Sequence, residues 1–244
     1  MPVLIVSDIH GNLEALEAVL KDAHGRYQNI VCLGDLVGYG ADPNAIVDWA
    51  RANTEVTVRG NHDRACVGLD AIEGYNAAAR LSAEWTKGVL TPHNQQYLER
   101  LPRGPIPYVT GKHTADLVHG SPLDEDEYLI GIPDVKLIAS GITTPLTFFG
   151  HTHVQGGFLL TSGGVRRIKI EGTIEIEPDY FFLVNPGSVG QPRDGDPRAA
   201  YALYSPEEQA VEYRRVDYDV RSAAAKVRAA GLPDSLARRL FSGS

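Results

Sequence analysis

Residues able to ligate metal cluster at the ends of short apolar runs. Val3–Val6 precedes Ser7-Asp8-Ile9-His10, Ile30–Leu33 precedes Gly34-Asp35, and Val56–Val58 precedes Arg59-Gly60-Asn61-His62-Asp63. Further on, Leu117-Val118 leads into His119-Gly120, Phe148-Phe149 into Gly150-His151-Thr152-His153, and Phe181–Val184 into Asn185-Pro186-Gly187. Each run reads as a strand buried on both faces. Each polar tail is then the loop beyond its carboxyl end, the edge at which open α/β sheets bind ligands. Asp8 and His10 are spaced to point into one space, His151 and His153 repeat that spacing, and Asp35, Asn61 and His119 come from separate strands. Carboxylate, amide and imidazole donors without thiolate suit manganese, iron, zinc, nickel or cobalt, and disfavour Cu(I) and iron–sulfur clusters. The set is too large for one tetrahedral ion and large enough for two octahedral ones if a carboxylate is shared. We therefore expect two divalent ions, manganese first among them, and hydrolysis of phosphate esters.

The elements that position these groups follow from the intervening pattern. Asn12 is placed to cap a helix carrying Leu13, Leu16, Leu20 and Ala23, and Asp42-Pro43-Asn44 opens another carrying Ile46, Val47 and Trp49. Strand, helix, strand, helix, strand calls for a parallel sheet covered by helices. Residues 64–104 break that rhythm with two helical stretches and no obvious strand, and read as a helical cap or insertion. Strands recur at 115–119, 146–149, 157–161, 165–177, 180–184, 199–204 and 211–216, closely enough spaced for antiparallel hairpins. Residues 219–241 read as helix broken at Gly231-Leu232-Pro233. The expectation is one domain over 1–244.

With 244 residues, 43% hydrophobic, the chain can bury a substantial core. Its net charge of −8 argues against a broad grip on nucleic acid, which needs a basic stripe, but not against a small anion beside bound cations. Arg166-Arg167 and Arg238-Arg239 are the dense basic pairs, and solvated surface is the expectation for both; the same holds for the acidic run Asp124–Glu127. Cys32 reads as core and Cys66 follows the Asn61 loop. Without a basic leader or a long apolar run, a cytoplasmic protein with no membrane partner is expected. The oligomeric state is open, a homo-oligomer included.

Taken in order, Asp8-X-His10, Gly34-Asp35, Gly60-Asn61-His62-Asp63, His119 and Gly150-His151-X-His153 resemble the calcineurin-like metallophosphoesterase superfamily. Gly34-Asp35-Leu36-Val37-Gly38-Tyr39-Gly40 and Asn185-Pro186-Gly187-Ser188-Val189 resemble its small bacterial and archaeal phosphodiesterase branch. The resemblance implies two mixed β-sheets packed as a sandwich between helices, an α/β fold of four layers. It implies that Asp8, His10, Asp35 and His153 hold one metal, and that Asp35 bridges to a second held by Asn61, His119 and His151. A bridging water made acidic by two cations about 3.5–4 Å apart would attack phosphorus. His62 would be the general acid, with Asp63 orienting its ring. The arginine that protein Ser/Thr phosphatases of the superfamily carry after Gly-Asp is replaced here by Leu36–Gly40, which points away from phosphoprotein substrates.

Asn12 could touch substrate as well as cap its helix, and Tyr39 could stack a base or cover the cleft. A small nucleotide-like phosphodiester or phosphomonoester is the expected substrate. The alternative is a non-catalytic metal-binding scaffold of the same fold, disfavoured because the complete ligand set and His62 are present. His24, His93 and His113 lack partner motifs and are expected at the surface or in loops.

Overall fold

The computed structural model describes residues 1–168, 170 and 172–244. Its strands form two six-stranded sheets. The first runs, edge to edge, Val56–Thr57 (β3), Asn29–Cys32 (β2), Val3–Val6 (β1), Ala199–Ser205 (β11), Ala210–Val216 (β12) and Thr173–Glu175 (β9). The second runs Ile106–Thr110 (β4), His113–Leu117 (β5), Leu146–Phe148 (β6), Phe181–Asn185 (β10), Gly156–Thr161 (β7) and Gly164–Arg167 (β8). Within the first, β1, β2 and β3 are parallel; within the second, β5, β6 and β10 are parallel. All other pairings are antiparallel. The six apolar runs are thus the two parallel triplets.

Alternation along the strands explains the layering, because successive side chains face opposite sides. Val3, Ile5, Val31 and Leu33 meet Leu117, Leu146, Phe148, Phe182 and Val184 between the sheets. Leu4, Val6, Ile30 and Cys32 turn the other way, onto the helices Leu13–Asp22 (α1) and Pro43–Asn53 (α2) and those that follow. Leu183, Phe158 and Leu160 pack under Ile132–Ile138 (α6) on the far side of the second sheet. Both faces of every central strand are therefore dry, which is why these runs are continuously apolar.

Asn61–Val67 (α3), Ala77–Val89 (α4) and Pro92–Glu99 (α5) fill the segment between β3 and β4. Asn61, His62 and Asp63, expected in a loop, form the first turn of α3. The strand expected across 165–177 divides into β8 and β9, and Lys169 and Glu171 of that span lie outside the described residues. The strand β4 carries exposed Val109 and two prolines at or beside its start, a pattern too irregular to read as strand from the sequence. Val220–Ala229 (α7) and Asp234–Arg239 (α8) are separated by the expected Gly-Leu-Pro break and pack against Tyr39 and Ala79. Among the described residues no helix is long and apolar enough to cross a membrane.

Candidate metal centre

The carboxyl ends of the two parallel triplets converge, and the loops leaving them fold sharply. Asp8, His10, Asp35, Tyr39, His151 and His153 all take positive φ, between 49° and 64°. Asp and His tolerate this left-handed region better than most residues, yet each instance costs about 1–3 kcal/mol and persists where surrounding structure enforces it. Gln209 is the one further non-glycine residue of this kind among those described. The enforcement is visible in the Asn185–Ser188 turn. Asn185 Nδ2 donates to Gly150 O (2.8 Å) and Thr152 Oγ1 (3.1 Å), while the Ser188 hydroxyl donates to Asp8 O (2.8 Å). One turn after β10 thus braces the loops of β1 and β6.

Ligand atoms of Asp8, His10, Asp35 and His153 lie within 4.8 Å of one another, and so do those of Asp35, His119 and His151; all are buried. Asp35 belongs to both groups. The hydrogen bonds fix which ring nitrogens are free. His10 Nδ1 faces Val37 O at 2.9 Å and His153 Nδ1 faces Gln191 O at 2.6 Å. A carbonyl only accepts, so each Nδ1 carries the proton and each Nε2 of a neutral ring presents a lone pair. Those two Nε2 atoms face each other at 3.1 Å. In the second group, His119 Nδ1 meets Leu33 O (2.8 Å) and His151 Nε2 meets Asp126 O (3.1 Å). Their remaining nitrogens face each other at 3.1 Å, and His119 Nε2 is 3.2 Å from Asn61 Oδ1 and 3.5 Å from Asp35 Oδ2. Tyr75 accepts from Asn61 Nδ2 (2.8 Å), which turns the amide oxygen inward. Asp8 Oδ1 is buried without a hydrogen-bond partner. Two knots of facing lone pairs with a carboxylate between them fit cations.

Electrostatics agrees. Burial drives the pKa of His10 and His153 well down, so their rings stay neutral. Burial raises Asp8 to about 7. Burial works against charge on His119 too, but Asp35 and Asp8 push its pKa up to about 10: the pocket demands positive charge there.

His62 lies beside these groups, 4% exposed, its ring 4.4 Å from that of Tyr39 and 5.0 Å edge-on from that of His10. Its Nδ1 has no hydrogen-bond partner, and burial lowers its pKa to about 4. The Asp63 carboxylate does not orient this ring as expected. It accepts the amides of Asp35 (2.9 Å), Leu36 (2.9 Å), Val37 (3.3 Å) and Gly60 (3.0 Å), so it holds the Asp35 loop against α3. Asn12 likewise faces inward: it caps α1 through Ala15 N (3.1 Å) and donates to Gly190 O (2.9 Å) and to Tyr218 Oη (3.3 Å), so both of its amide hydrogens are engaged within the protein. Tyr39 lines the cleft over the site, a space of about 520 Å³ shared with Asn61, His62, Tyr75, Tyr128 and Arg193.

Other expectations also need correction. The acidic run is a loop with Asp124 and Asp126 exposed, as expected, but it is also tied down: Glu125 pairs with Arg59 (2.7 Å) and Arg64 (3.0 Å), and Asp126 with Arg64 (2.7 Å). This docks on α3 the stretch whose carbonyl receives His151. Cys66, whose place the sequence left open, is buried in the core, where burial raises its thiol pKa. Arg239 is not solvated surface but lines the cleft with Arg193. The sequence marks Arg239 only as half of a basic pair and does not mark Arg193 at all, because an isolated arginine far along the chain carries no spacing signal; the same holds for Tyr75 and Tyr128.

Known proteins are similar to this chain in sequence and in fold. Residues 1–209 match the calcineurin-like phosphoesterase superfamily domain. An uncharacterized protein of Methanocaldococcus jannaschii is 37% identical over 246 residues, covering 99% of this chain and 98% of that one. A metallophosphoesterase from Sphaerobacter thermophilus is similar in structure at 40% identity and a TM-score of 0.85, covering 100% of this chain and 99% of its own. A hypothetical protein from Pyrococcus horikoshii, at 18% identity, shares the fold with a TM-score of 0.80, covering 100% of this chain and 98% of its own. The chain, with buried Asp and His groups at its converging strand ends, belongs to the calcineurin-like phosphoesterase superfamily, a family of hydrolases acting on phosphoric esters.

Proposed function

We propose that the chain is a dinuclear-metal phosphoesterase that hydrolyses a phosphodiester or phosphomonoester bond of a small, nucleotide-like substrate. Asp8, His10, Asp35 and His153 would hold one divalent ion, and Asp35, Asn61, His119 and His151 a second, with manganese the first candidate. The observation that carries this reading is the pair of facing-lone-pair groups joined through Asp35. When bound, such ions supply positive charge to phosphoryl oxygens and acidify water into a nucleophile.

The chain's own residues supply the rest. Tyr39 and Tyr75 wall the cleft beside His62 and restrict water there. His62 is neutral at rest because burial holds its pKa near 4. A phosphate seated beside it would raise that pKa and draw a proton onto the ring, ready for the leaving oxygen. Arg193 stands at the cleft wall and offers the guanidinium that the Leu36–Gly40 stretch lacks. The chain is read as one domain, with α3, α4 and the segment between them lining one side of the mouth.

The test is turnover of bis(p-nitrophenyl) phosphate and p-nitrophenyl phosphate by metal-stripped protein with and without added Mn²⁺. Metal-dependent hydrolysis of either is expected, and the preferred one identifies the ester class. No turnover of either, with two ions bound, would sink the proposal.

A further inference from the structure

Arg193 and Arg239 have no carboxylate within 4.0 Å among the described residues. The other arginines without such a partner, Arg80, Arg100, Arg166, Arg167 and Arg221, are exposed; these two are partly buried. A partly desolvated guanidinium without a counter-charge is costly, and two side by side more so. They are side by side: the side-chain oxygen of buried Gln191 accepts from Arg193 Nη2 at 3.1 Å and from Arg239 Nη1 at 3.2 Å. Burial lowers the pKa of Arg239, and Arg193 lowers it further. Gln191 in turn is fixed by its own backbone, whose carbonyl receives His153 and whose amide meets Ser188 Oγ at 2.8 Å. One rigid turn therefore aims two unneutralised cations into the cleft that holds His62 and Asn61.

The two differ in their neighbours. Beyond the effect of burial, the Arg193 charge reaches His10, His62 and His153, whereas Arg239, on α8, meets the charge of Arg193 and Tyr39. Arg193 also lies over Tyr39, 5.6 Å from the ring centre. α8 lies beyond residues 1–209, the segment that the family domain matches.

We propose that Arg193 and Arg239 form an anion subsite beside the metal centre, and that the substrate carries a second phosphate linked to the one hydrolysed. Two planar forks of donors suit a tetrahedral, multiply charged phosphate. Arg193 faces the reacting phosphate, and Arg239 holds the neighbouring one. The substrate class is then a diphosphate-linked nucleotide rather than a simple monophosphate. This deepens the phosphoesterase reading and rests on it for the position of the reacting group.

Binding tests it without turnover. Dissociation constants of the methylenephosphonate isostere of adenosine monophosphate, a monophosphate probe with no ester bond to cleave, and of α,β-methylene adenosine diphosphate would be measured calorimetrically on Mn²⁺-loaded protein. The wild type should bind the diphosphate analogue more tightly. Arg239→Gln should weaken the analogue about tenfold or more, as expected for a lost charged hydrogen bond, and the monophosphate by less than about twofold. Arg239→Lys should recover part of the loss. Arg238→Gln, 70% exposed on the same helix, should leave both affinities in place and controls for disturbance of α8. Equal loss on both probes, no loss on the analogue, or a wild type that does not prefer the analogue would overturn the subsite. Hydrolysis of bis(p-nitrophenyl) phosphate by the same preparation reports separately on the phosphoesterase reading, so one can fail while the other stands.

Discussion

His10 and His153, each with Nδ1 pinned to a carbonyl, can offer only lone pairs to the space between them. That constraint comes from hydrogen bonding alone and separates a metal centre from histidines merely satisfied at loop ends. His62 lacks any such anchor. His62→Ala should therefore keep its metal content and lose turnover by about 10²–10⁴-fold, most on poor leaving groups and least on p-nitrophenol. Metal loss in this variant would make His62 a ligand. Asp63 predicts a different pattern. Each of its oxygens accepts two backbone amides, so an amide side chain would turn donors onto two of them. Asp63→Asn should cost on the order of 1–3 kcal/mol per orphaned amide and lower metal affinity with stability, read by denaturant unfolding and metal analysis. Unchanged stability with a slower rate would restore Asp63 as the orienting partner of His62. Residue types and order made the ligand candidates legible. The inward duties of Asp63 and Asn12 were not, because which atoms a side chain reaches depends on packing that spacing does not encode.

At the scale of elements, the parallel triplets were plain in the sequence because burial on both faces leaves strands uniformly apolar. The first turn of α3 was hidden because Gly60-Asn61-His62 reads as a turn, whereas Asp63 closes that turn by accepting the Gly60 amide. Gly60 is a further constraint at this junction: a Cβ there would fall on the Asp35 carboxylate and its backbone nitrogen. Gly60→Ala should abolish tight metal binding even where the chain still folds, checked by metal analysis on the soluble protein. Retention of both ions at wild-type affinity would contradict the packing. On the far side of the first sheet, Tyr201 Oη donates to Asp22 Oδ2 at 2.5 Å and Arg214 lies 3.1 Å away, tying α1 to β11 and β12. These partners lower the Asp22 pKa, Tyr201 first. A carboxylate with a depressed folded pKa stabilises above its unfolded value, about 3.9, and that stability is lost as pH falls through the folded value. Asp22→Asn should thus melt below the wild type at neutral pH, with the gap closing under about pH 4. A gap independent of pH would mean that packing, not charge, joins these elements.

The whole molecule carries a net charge of −8, yet its cleft gathers Arg193 and Arg239 above the buried acids. That inversion is invisible in composition, since both arginines are brought in by turns and a terminal helix far from the ligand motifs. The fold brings the carboxyl ends of two sheets together so that Asp35 belongs to both ligand groups. Two ions sharing one carboxylate is what the proposed function predicts from this placement, and it is measurable without substrate. Mn²⁺ titrated into metal-stripped protein should bind at two ions per chain, and Asp35→Asn should lose tight binding at both sites. A single ion per chain in the wild type, or an Asp35→Asn variant that keeps one site at full affinity, would contradict a centre built around that shared carboxylate.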